Sequence, residues 1–183
     1  MITGLLQFLI TAVTSILGVL FLLRAWLFVW AMSPRHPFVQ LTRKTTDWLV
    51  VPLSKIIPAR GNVDWPSLLG GLLVAFGTVL AGRLLTGMPM VPAGLIIAPF
   101  ALLIRWSLEM ISWGVLIWVL LSWLNPQSPM MYALGTLVEP FLRPVRRVLP
   151  NIGRFDFSPV VVILLANVLI ILITPLSHGF IAL

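Results

Sequence analysis

Charged and nucleophilic side chains are scarce in this chain, so the few that occur are the first candidates for chemistry. Its 183 residues include twelve Lys or Arg, five Asp or Glu, two His and no Cys. The sequence therefore offers no thiolate or disulfide, and it contains no Ser–His–acid set, zinc pattern or phosphate-binding loop. His36 and His178 lack further ligands at metal-binding spacing. We expect neither an enzyme nor a bound cofactor or metal.

Two aspartates, Asp64 and Asp156, each stand just before an apolar run. This position favours an N-cap, because a carboxylate accepts from the free N–H groups at a helix start. The alternative is that the two carboxylates together form a cation entry site. Arg24 lies inside the first apolar run, where its long side chain can reach the nearer membrane surface. Arg105 has Glu109 as a partner four residues on.

The elements that must position these residues are membrane-spanning helices. The chain is 60% hydrophobic and 9% charged, with a mean hydropathy of +1.08, whereas a soluble domain has about 25% charged residues. Four apolar runs reach the length of about 20 residues that a span needs, at about 5–31, 67–86, 99–124 and 158–182. We predict an all-α membrane protein with four transmembrane helices in one domain, 1–183. Segment 88–104 is interrupted by prolines and is predicted to be a re-entrant or interfacial segment that leads into a long, kinked third helix.

The loops between these spans differ in positive charge, which predicts their orientation. Five Lys or Arg lie in the loop at about 33–66 and four in the loop at about 125–157, whereas the connector after the second span has only Arg83. Basic loops stay on the cytoplasmic side. We therefore predict a multi-pass protein of the bacterial inner membrane, with both basic loops in the cytoplasm and both termini outside. Trp30, Trp65, Trp106 and Trp123 are expected at the lipid–water interface.

The two halves of the chain resemble each other at a constant offset of 92 residues, as from Trp26 to Trp118 and from Asp47 to Glu139. These ungapped matches predict two copies of one helix–loop–helix unit, at about 5–86 and 99–182. Two copies of equal topology form a parallel repeat. The motif positions of the predicted repeat are Pro52, Pro58, Gly61, Asp64, Pro144, Pro150, Gly153 and Asp156.

An amphipathic helix is predicted in each basic loop. Apolar residues follow i, i+3, i+4, i+7 spacing from Leu134 to Leu149 in the second loop, and a weaker stripe runs from Phe38 to Ile56 in the first. Two prolines in the second helix, at 140 and 144, predict that it divides into two short pieces. Basic residues near these stripes are expected to bind anionic headgroups or, alternatively, an acidic partner segment. They are Arg43, Lys44, Lys55, Arg143, Arg146 and Arg147.

Small residues form a stripe along the second span. Because small side chains let helices approach closely, we expect this stripe to pack against another helix. That helix belongs either to the same chain or to another protomer, so a homo-oligomer stays open. The stripe consists of Gly71, Ala75, Thr78 and Gly82.

The second loop carries a motif that resembles the YggT (YlmG) family of small membrane proteins. The string P-x-R-R-x-x-P-x-x-G-x-x-D runs from Pro144 to Asp156. The first loop is similar but departs at Ser54-Lys55 and at Trp65-Pro66-Ser67. The resemblance spans nearly the whole chain. It implies links to membrane-complex assembly in plastids, to division or nucleoid organisation, and to osmotic tolerance in bacteria, with no established reaction.

These observations predict a non-enzymatic membrane accessory protein, whose paired loops dock on anionic lipid and on a membrane-protein partner in a larger membrane or division complex. No nucleic acid is expected as a partner, because lipid headgroups account for the net charge of +7. The alternative function is a small ion channel or transporter involved in osmotic stress tolerance. A permeation path needs Asp64, Asp156 and Arg24 to line water, whereas a scaffold needs only intact loops.

Overall fold

The computed structural model describes residues 2–87, 92–148 and 156–177. Over these residues the fold is all-α, with six helices and no β-strand. This confirms the predicted fold class. The helices are α1 (Ile2–Val29), α2 (Pro37–Ile56), α3 (Trp65–Thr86), α4 (Pro92–Leu124), α5 (Pro129–Val148) and α6 (Ser158–Ser177).

Four of these helices, α1, α3, α4 and α6, are long and apolar enough to cross a membrane. The shortest of them has 20 residues, which at about 1.5 Å per residue cover the roughly 30 Å hydrocarbon core. The four predicted spans are therefore confirmed, and α2 and α5 are the predicted loop helices. Trp30, Trp65 and Trp123, which were expected at the lipid–water interface, are exposed.

Helix α4 begins earlier than predicted. Residues 92–98 form its first turns, and Pro99 lies inside the helix. Proline is tolerated in a first turn, and an internal proline removes a single backbone hydrogen bond, which a long helix can lose without ending. Residues 92–104 are thus continuous with the long third helix, which contradicts a re-entrant course for them, whereas an interfacial position of the first turns stays a prediction. Residues 88–91 lie outside the described part of the chain.

The chain divides into two compact units. Unit 1 comprises the described residues of Met1–Ser107 and Ile173–Leu183, and unit 2 comprises those of Leu108–Leu172. Unit 1 therefore contains α1, α2, α3 and the first half of α4, with the last residues of α6. Unit 2 contains the second half of α4, all of α5 and most of α6. Each unit has one loop helix packed against spans.

In unit 1, α1 packs along α3, and α2 packs against both. Glycines make this packing close: a Cβ at Gly70 would lie 2.6 Å from the Phe21 ring, and a Cβ at Gly18 would lie 2.1 Å from the Trp106 ring. Trp106 is 1% exposed, and its indole N–H donates to Ser15 Oγ at 3.2 Å. The prediction that Trp106 lies at the lipid–water interface is wrong, because Gly18 leaves room for its ring inside the unit.

The small-residue stripe on α3 packs inside unit 1 over most of its length. Ala75 and Thr78 are buried, and a Cβ at Gly71 would lie 3.1 Å from Leu103 Cδ1. Gly82 differs, since no described atom lies within 4 Å of a Cβ built there. The stripe therefore serves helix packing from Gly71 to Thr78, and Gly82 makes no such close contact.

Loop helix α2 has two different faces. The face buried in unit 1 consists of Val39, Thr42, Thr46 and Val50. Much of the predicted apolar stripe instead points outward, with Leu41, Trp48 and Ile56 all at least half exposed. Threonine can take the inner face because its hydroxyl donates to a carbonyl of the preceding turn, as Thr46 Oγ1 does to Thr42 O at 2.6 Å.

Unit 2 is held together by a small core to which α4, α5 and α6 all contribute. The core residues are Val115 of α4, Val138 and Leu142 of α5, and Val162 of α6. Helix α5 runs unbroken through Pro140 and Pro144, so the prediction of two short pieces is wrong. Each proline removes one backbone hydrogen bond, but core residues before and between the prolines keep the helix in place.

Candidate functional site

Each loop helix takes part in an ion cluster with an arginine of its own unit. In unit 1 the arginine is Arg24 of span α1. Its Nη1 donates to Asp47 Oδ1 at 2.6 Å and to Thr46 Oγ1 at 2.8 Å, and its Nε lies 3.8 Å from Asp64 Oδ2. We call Arg24, Asp47 and Asp64 the unit 1 cluster. The Arg24 side chain is 16% exposed, so its guanidinium meets protein carboxylates and does not stand free at the membrane surface.

Asp64 caps helix α3, as the sequence predicted. Its Oδ1 accepts from the backbone N–H of Ser67 at 3.3 Å, and its Oδ2 accepts from Ser67 Oγ at 2.5 Å. Both residues are buried. A buried carboxylate is costly unless it is paired and hydrogen-bonded, and Ser67 and Arg24 meet both requirements. The guanidinium of Arg24 thus occupies the place beside Asp64. In the alternative interpretation, in which the two aspartates form a cation entry site, a permeating cation would have to occupy that place.

In unit 2 the arginine is Arg146, which belongs to loop helix α5 itself. Its Nε donates to Asp156 Oδ2 at 2.8 Å, and its Nη1 donates to Glu139 Oε2 at 2.8 Å. We call Glu139, Arg146 and Asp156 the unit 2 cluster. Asp156 Oδ1 also accepts from the backbone N–H of Ser158 at 2.9 Å, at the start of α6. The three cluster side chains are between 31% and 48% exposed, so this cluster as a whole is more exposed to solvent than the unit 1 cluster.

Hydrogen bonding in the unit 2 cluster favours the charged forms of both partners. Burial alone would raise the pKa of Asp156, but the hydrogen bonds from Ser158 and Arg146 outweigh it and hold the pKa below the usual value of a carboxyl. Burial would likewise lower the pKa of Arg146, and its hydrogen bonds to Asp156 and Glu139 raise it instead. Asp156 and Arg146 are therefore both ionised at neutral pH.

Trp118 of α4 contacts loop helix α5 beside the unit 2 cluster. The Cζ atom of Arg146 lies 5.8 Å from the centroid of the Trp118 ring, within range of a cation–π interaction. A Cβ at Gly135 would lie 3.2 Å from Trp118 Nε1. A small residue at position 135 is therefore what allows α5 to approach α4 this closely. The sequence marked Trp118 as a repeat position but gave no sign of this contact.

The basic residues predicted to dock on lipid or a partner do not form one uniform set. Arg146 is engaged in the unit 2 cluster, whereas Arg143 and Arg147 are exposed one helical turn apart on α5. The basic side chains of α2 are exposed as well. These are Arg43, Lys44 and Lys55. The docking role of all six residues stays a prediction, but five of them present their charge to the surroundings.

The proline and glycine positions of the predicted repeat motif fall in different settings. Pro52 and Pro144 lie inside α2 and α5. Gly61 has φ +59°, in the left-handed region that favours glycine, and it lies in the turn closed by two backbone hydrogen bonds between Arg60 and Val63, both of 3.2 Å. Pro58 precedes that turn. Two further motif positions, Pro150 and Gly153, lie outside the described residues.

The pairing of arginine with two carboxylates was the main feature that sequence reasoning missed. The signal was present in part, because the two carboxylates of one cluster match the two of the other at the offset of 92. The arginines do not match: position 116, which corresponds to Arg24, is Leu, and position 54, which corresponds to Arg146, is Ser. Comparison of the two halves at this offset therefore identifies the matching carboxylates, but it does not show that Arg24 and Arg146 pair with them in the same way.

Four apolar helices, joined by two basic loop helices that ion clusters fasten to their units, define a multi-pass α-helical membrane protein. Among the described residues there is no group of His, Cys, Asp or Glu that could hold a metal ion. A model of the CCB3/YggT family matches residues 3–85 and 97–177. The chain belongs to the CCB3/YggT family.

Bacterial relatives agree with this assignment. The chain is 35% identical over 168 residues to the Escherichia coli (strain K12) protein named "Uncharacterized protein YggT", covering 90% of this chain and 86% of the relative. It is 33% identical over 154 residues to an "Uncharacterized protein" of Haemophilus influenzae, with 84% and 82% covered. It is 31% identical over 159 residues to the "Uncharacterized protein in proC 3'region" of Vibrio alginolyticus, with 85% and 86% covered. No solved structure matches the chain.

Proposed function

We propose that this chain is a non-enzymatic accessory protein of the bacterial inner membrane. Its loop helices α2 and α5 lie at the cytoplasmic surface, bind anionic headgroups and hold a membrane-protein partner within a larger membrane or division complex. The observation that carries the proposal is that the three arginines of α5 differ in their contacts. Arg146 is neutralised by two carboxylates, while Arg143 and Arg147 stay exposed on a helix that is fixed to its unit.

The fixed position of α5 is what makes its two exposed arginines suitable for docking. Leu142 is fully buried in the core of unit 2, one residue before Arg143. Side chains four residues apart on a helix have Cβ atoms about 5–6 Å apart, so Arg143 and Arg147 can contact one phosphate or two adjacent ones. Because the helix backbone is already ordered, little conformational entropy is lost when a headgroup binds.

Helix α2 supports the same proposal with a different composition. Its outward face combines exposed Trp48 and Leu41 with exposed Lys44 and Lys55. Tryptophan favours the membrane–water interface, and lysine near an anionic surface contributes about 1 kcal/mol. An exposed face of this kind suits a helix lying on the inner leaflet.

Retention of anionic lipid tests the headgroup part of the proposal. The full-length protein is extracted from membranes, and phosphatidylglycerol and cardiolipin that stay bound are counted by native mass spectrometry. We expect Arg143→Ala/Arg147→Ala to weaken retention roughly thirtyfold, since each arginine near an anionic surface is worth about 1 kcal/mol. The matched control is Arg35→Ala/Arg60→Ala, which removes two exposed arginines from outside the loop helices. Equal losses in the two variants would contradict the proposal.

Crosslinking in cells tests the partner part. A photoreactive residue placed at position 136 of α5, which is exposed, should capture the same membrane protein in repeated experiments. Placing it at position 169 of α6, exposed within a span, is the control for random lipid-phase encounters. If the two positions capture the same proteins at similar yield, a specific partner for the loop is excluded.

The contacts of the two clusters give less support to a channel or transporter. Asp64 and Asp156 each lie within 4 Å of an arginine of the same unit, which leaves their negative charge compensated. Purified protein in vesicles should therefore stay electrically silent across potassium and sodium gradients. A conductance that disappears in Asp64→Asn would reverse this preference.

A further inference from the structure

Span α6 carries one exposed amide in the middle of an otherwise apolar surface. Asn167 is the tenth of the twenty residues of Ser158–Ser177, about 15 Å from either end of the helix. Its side chain is exposed, and so are Val160, Leu164 and Ile171 on the same side of the helix, at 60%, 60% and 71%. At this depth no water is present to bond with the amide, so its exposure to lipid is unfavourable.

The hydrogen bonds that the amide makes within unit 2 leave it incomplete. Asn167 Nδ2 donates to the backbone oxygen of Ile163 at 2.8 Å and to Ser112 Oγ at 3.2 Å. These bonds use both amide hydrogens. Among the described residues, none donates to the Oδ1 atom of Asn167. The molecule therefore presents an unsatisfied acceptor to the centre of the bilayer.

The amide lies in an open groove of unit 2. The groove has a volume of about 300 Å³, enough for several side chains but not for a whole helix. Its walls are mostly apolar. They consist of Glu109, Ser112, Trp113 and Leu116 of α4, and Ile163, Asn167 and Ile170 of α6. A lipid tail could fill the apolar part, but a hydrocarbon chain has no donor for the exposed Oδ1 atom.

We propose that a second copy of this chain covers the groove, with α6 packed against α6 about a two-fold axis through the paired Asn167 side chains. Val160, Leu164, Asn167 and Ile171 are spaced by four, three and four residues, which is the a/d spacing of a two-helix seam. A side-chain amide is both donor and acceptor, so two copies satisfy each other. The hydrogen now donated to Ser112 turns to Oδ1 of the other copy.

A second copy fits these observations better than a different protein does. The two-fold arrangement places each amide at the same depth as its counterpart without any further requirement. An unrelated helix would need its own amide at mid-membrane and a matching stripe of apolar residues. Amide hydrogen bonds between transmembrane helices stabilise association and fix the register. The seam belongs to α6 of unit 2 and does not involve the basic loops.

Disulfide crosslinking in native membranes tests this dimer, and the chain has no cysteine of its own. Single cysteines at seam positions, Leu164→Cys and Ile171→Cys, should form disulfide-linked dimers on mild oxidation. The matched controls are Leu165→Cys and Leu169→Cys, which are exposed at 50% and 49% on another side of the same helix. Equal dimer yields at seam and control positions, or no dimer at any of them, would overturn the proposal. Crosslinks to a protein of another mass would also overturn it.

The amide itself is tested in the Leu164→Cys background. Adding Asn167→Leu should lower the dimer yield at low expression roughly threefold to thirtyfold, the range expected for one hydrogen-bonded pair in a membrane. Asn167→Gln keeps the amide and should retain most of the yield. If Asn167→Leu leaves the yield unchanged, the amide does not drive association and the proposal fails.

Discussion

The two units use one chemical arrangement, an arginine between two carboxylates, but they draw the arginine from different elements. In unit 1 it comes from the span, as Arg24, and it ties α1 to α2 and to the start of α3. In unit 2 it comes from the loop helix, as Arg146, and it ties α5 to the start of α6. Both loop helices are thus joined to the helix that follows them.

The difference determines which basic residues remain exposed on each loop helix. In unit 1 the span supplies the neutralising charge, so every basic residue of α2 is free to face outward. In unit 2 the loop helix uses one of its own arginines, and Arg143 and Arg147 remain. The unit 1 cluster is also better buried, with Arg24 at 16% and Asp64 at 9% exposure. Its loss should therefore cost more stability than loss of the unit 2 cluster.

Removing Arg24 is expected to have the largest effect. Arg24→Ala leaves the buried carboxylate of Asp64 without its positive partner, which costs about 3 kcal/mol in comparable buried pairs. Thermal unfolding in detergent, followed by the fluorescence of the eight tryptophans, measures the loss. Arg24→Ala/Asp64→Asn is the control. It should recover much of the stability, because a neutral amide still caps α3; equal instability of the single and double variants would contradict the pairing.

A variant that moves the arginine of the unit 1 cluster from span α1 to loop helix α2 tests whether the two clusters are equivalent. Arg24→Leu with Ser54→Arg gives unit 1 the residues that unit 2 has at the corresponding positions. Position 54 is seven residues after Asp47, as Arg146 is seven after Glu139, so the new arginine can reach both carboxylates. We expect this variant to unfold at a temperature between those of wild type and Arg24→Leu. No gain over Arg24→Leu would mean that the two clusters are not equivalent.

Removing Arg146 is expected to have a smaller effect. The three side chains of the unit 2 cluster are about a third to a half exposed, and solvent-screened pairs contribute about 1 kcal/mol or less. Arg146→Ala should therefore lower the unfolding temperature by much less than Arg24→Ala does. The same scan with Arg147→Ala controls for loss of charge, since Arg147 is exposed; a larger loss there would contradict the assigned roles.

Acid should weaken unit 2 only well below neutral pH. The pKa of Asp156 is held below the usual carboxyl value of 3.8, so its ionised form stabilises the folded unit above that value. This stability is lost as the pH falls through the lowered pKa. Unfolding temperatures should be flat between about pH 5 and 7 for this contact and should fall below about pH 4. Asp156→Asn should remove that part of the acid dependence and no other.

Much of the fold followed from the sequence, because hydropathy and helical periodicity are local signals, whereas the predictions drawn from proline positions were wrong where helices α4 and α5 continue through their prolines. The four spans could be predicted from apolar runs and the loop helices from helical periodicity. The cap could be predicted because Asp64 stands just before an apolar run. The site was harder. Pairing of Arg24 with Asp47 depends on how α2 turns against α1, and burial of Trp106 depends on Gly18 in another helix. Such contacts arise from packing between distant segments, which single-sequence patterns do not encode.

The proposal rests above all on both loop helices lying on the cytoplasmic face, and labelling from each side of the membrane tests this directly. Single cysteines at exposed positions, Gln40→Cys on α2 and Val148→Cys on α5, are treated with a membrane-impermeant maleimide. Thr86→Cys, at the end of α3, is the control for the opposite face. We predict that α2 and α5 are both labelled in inverted vesicles and protected in intact spheroplasts. Labelling of α2 and α5 from opposite faces would contradict the account.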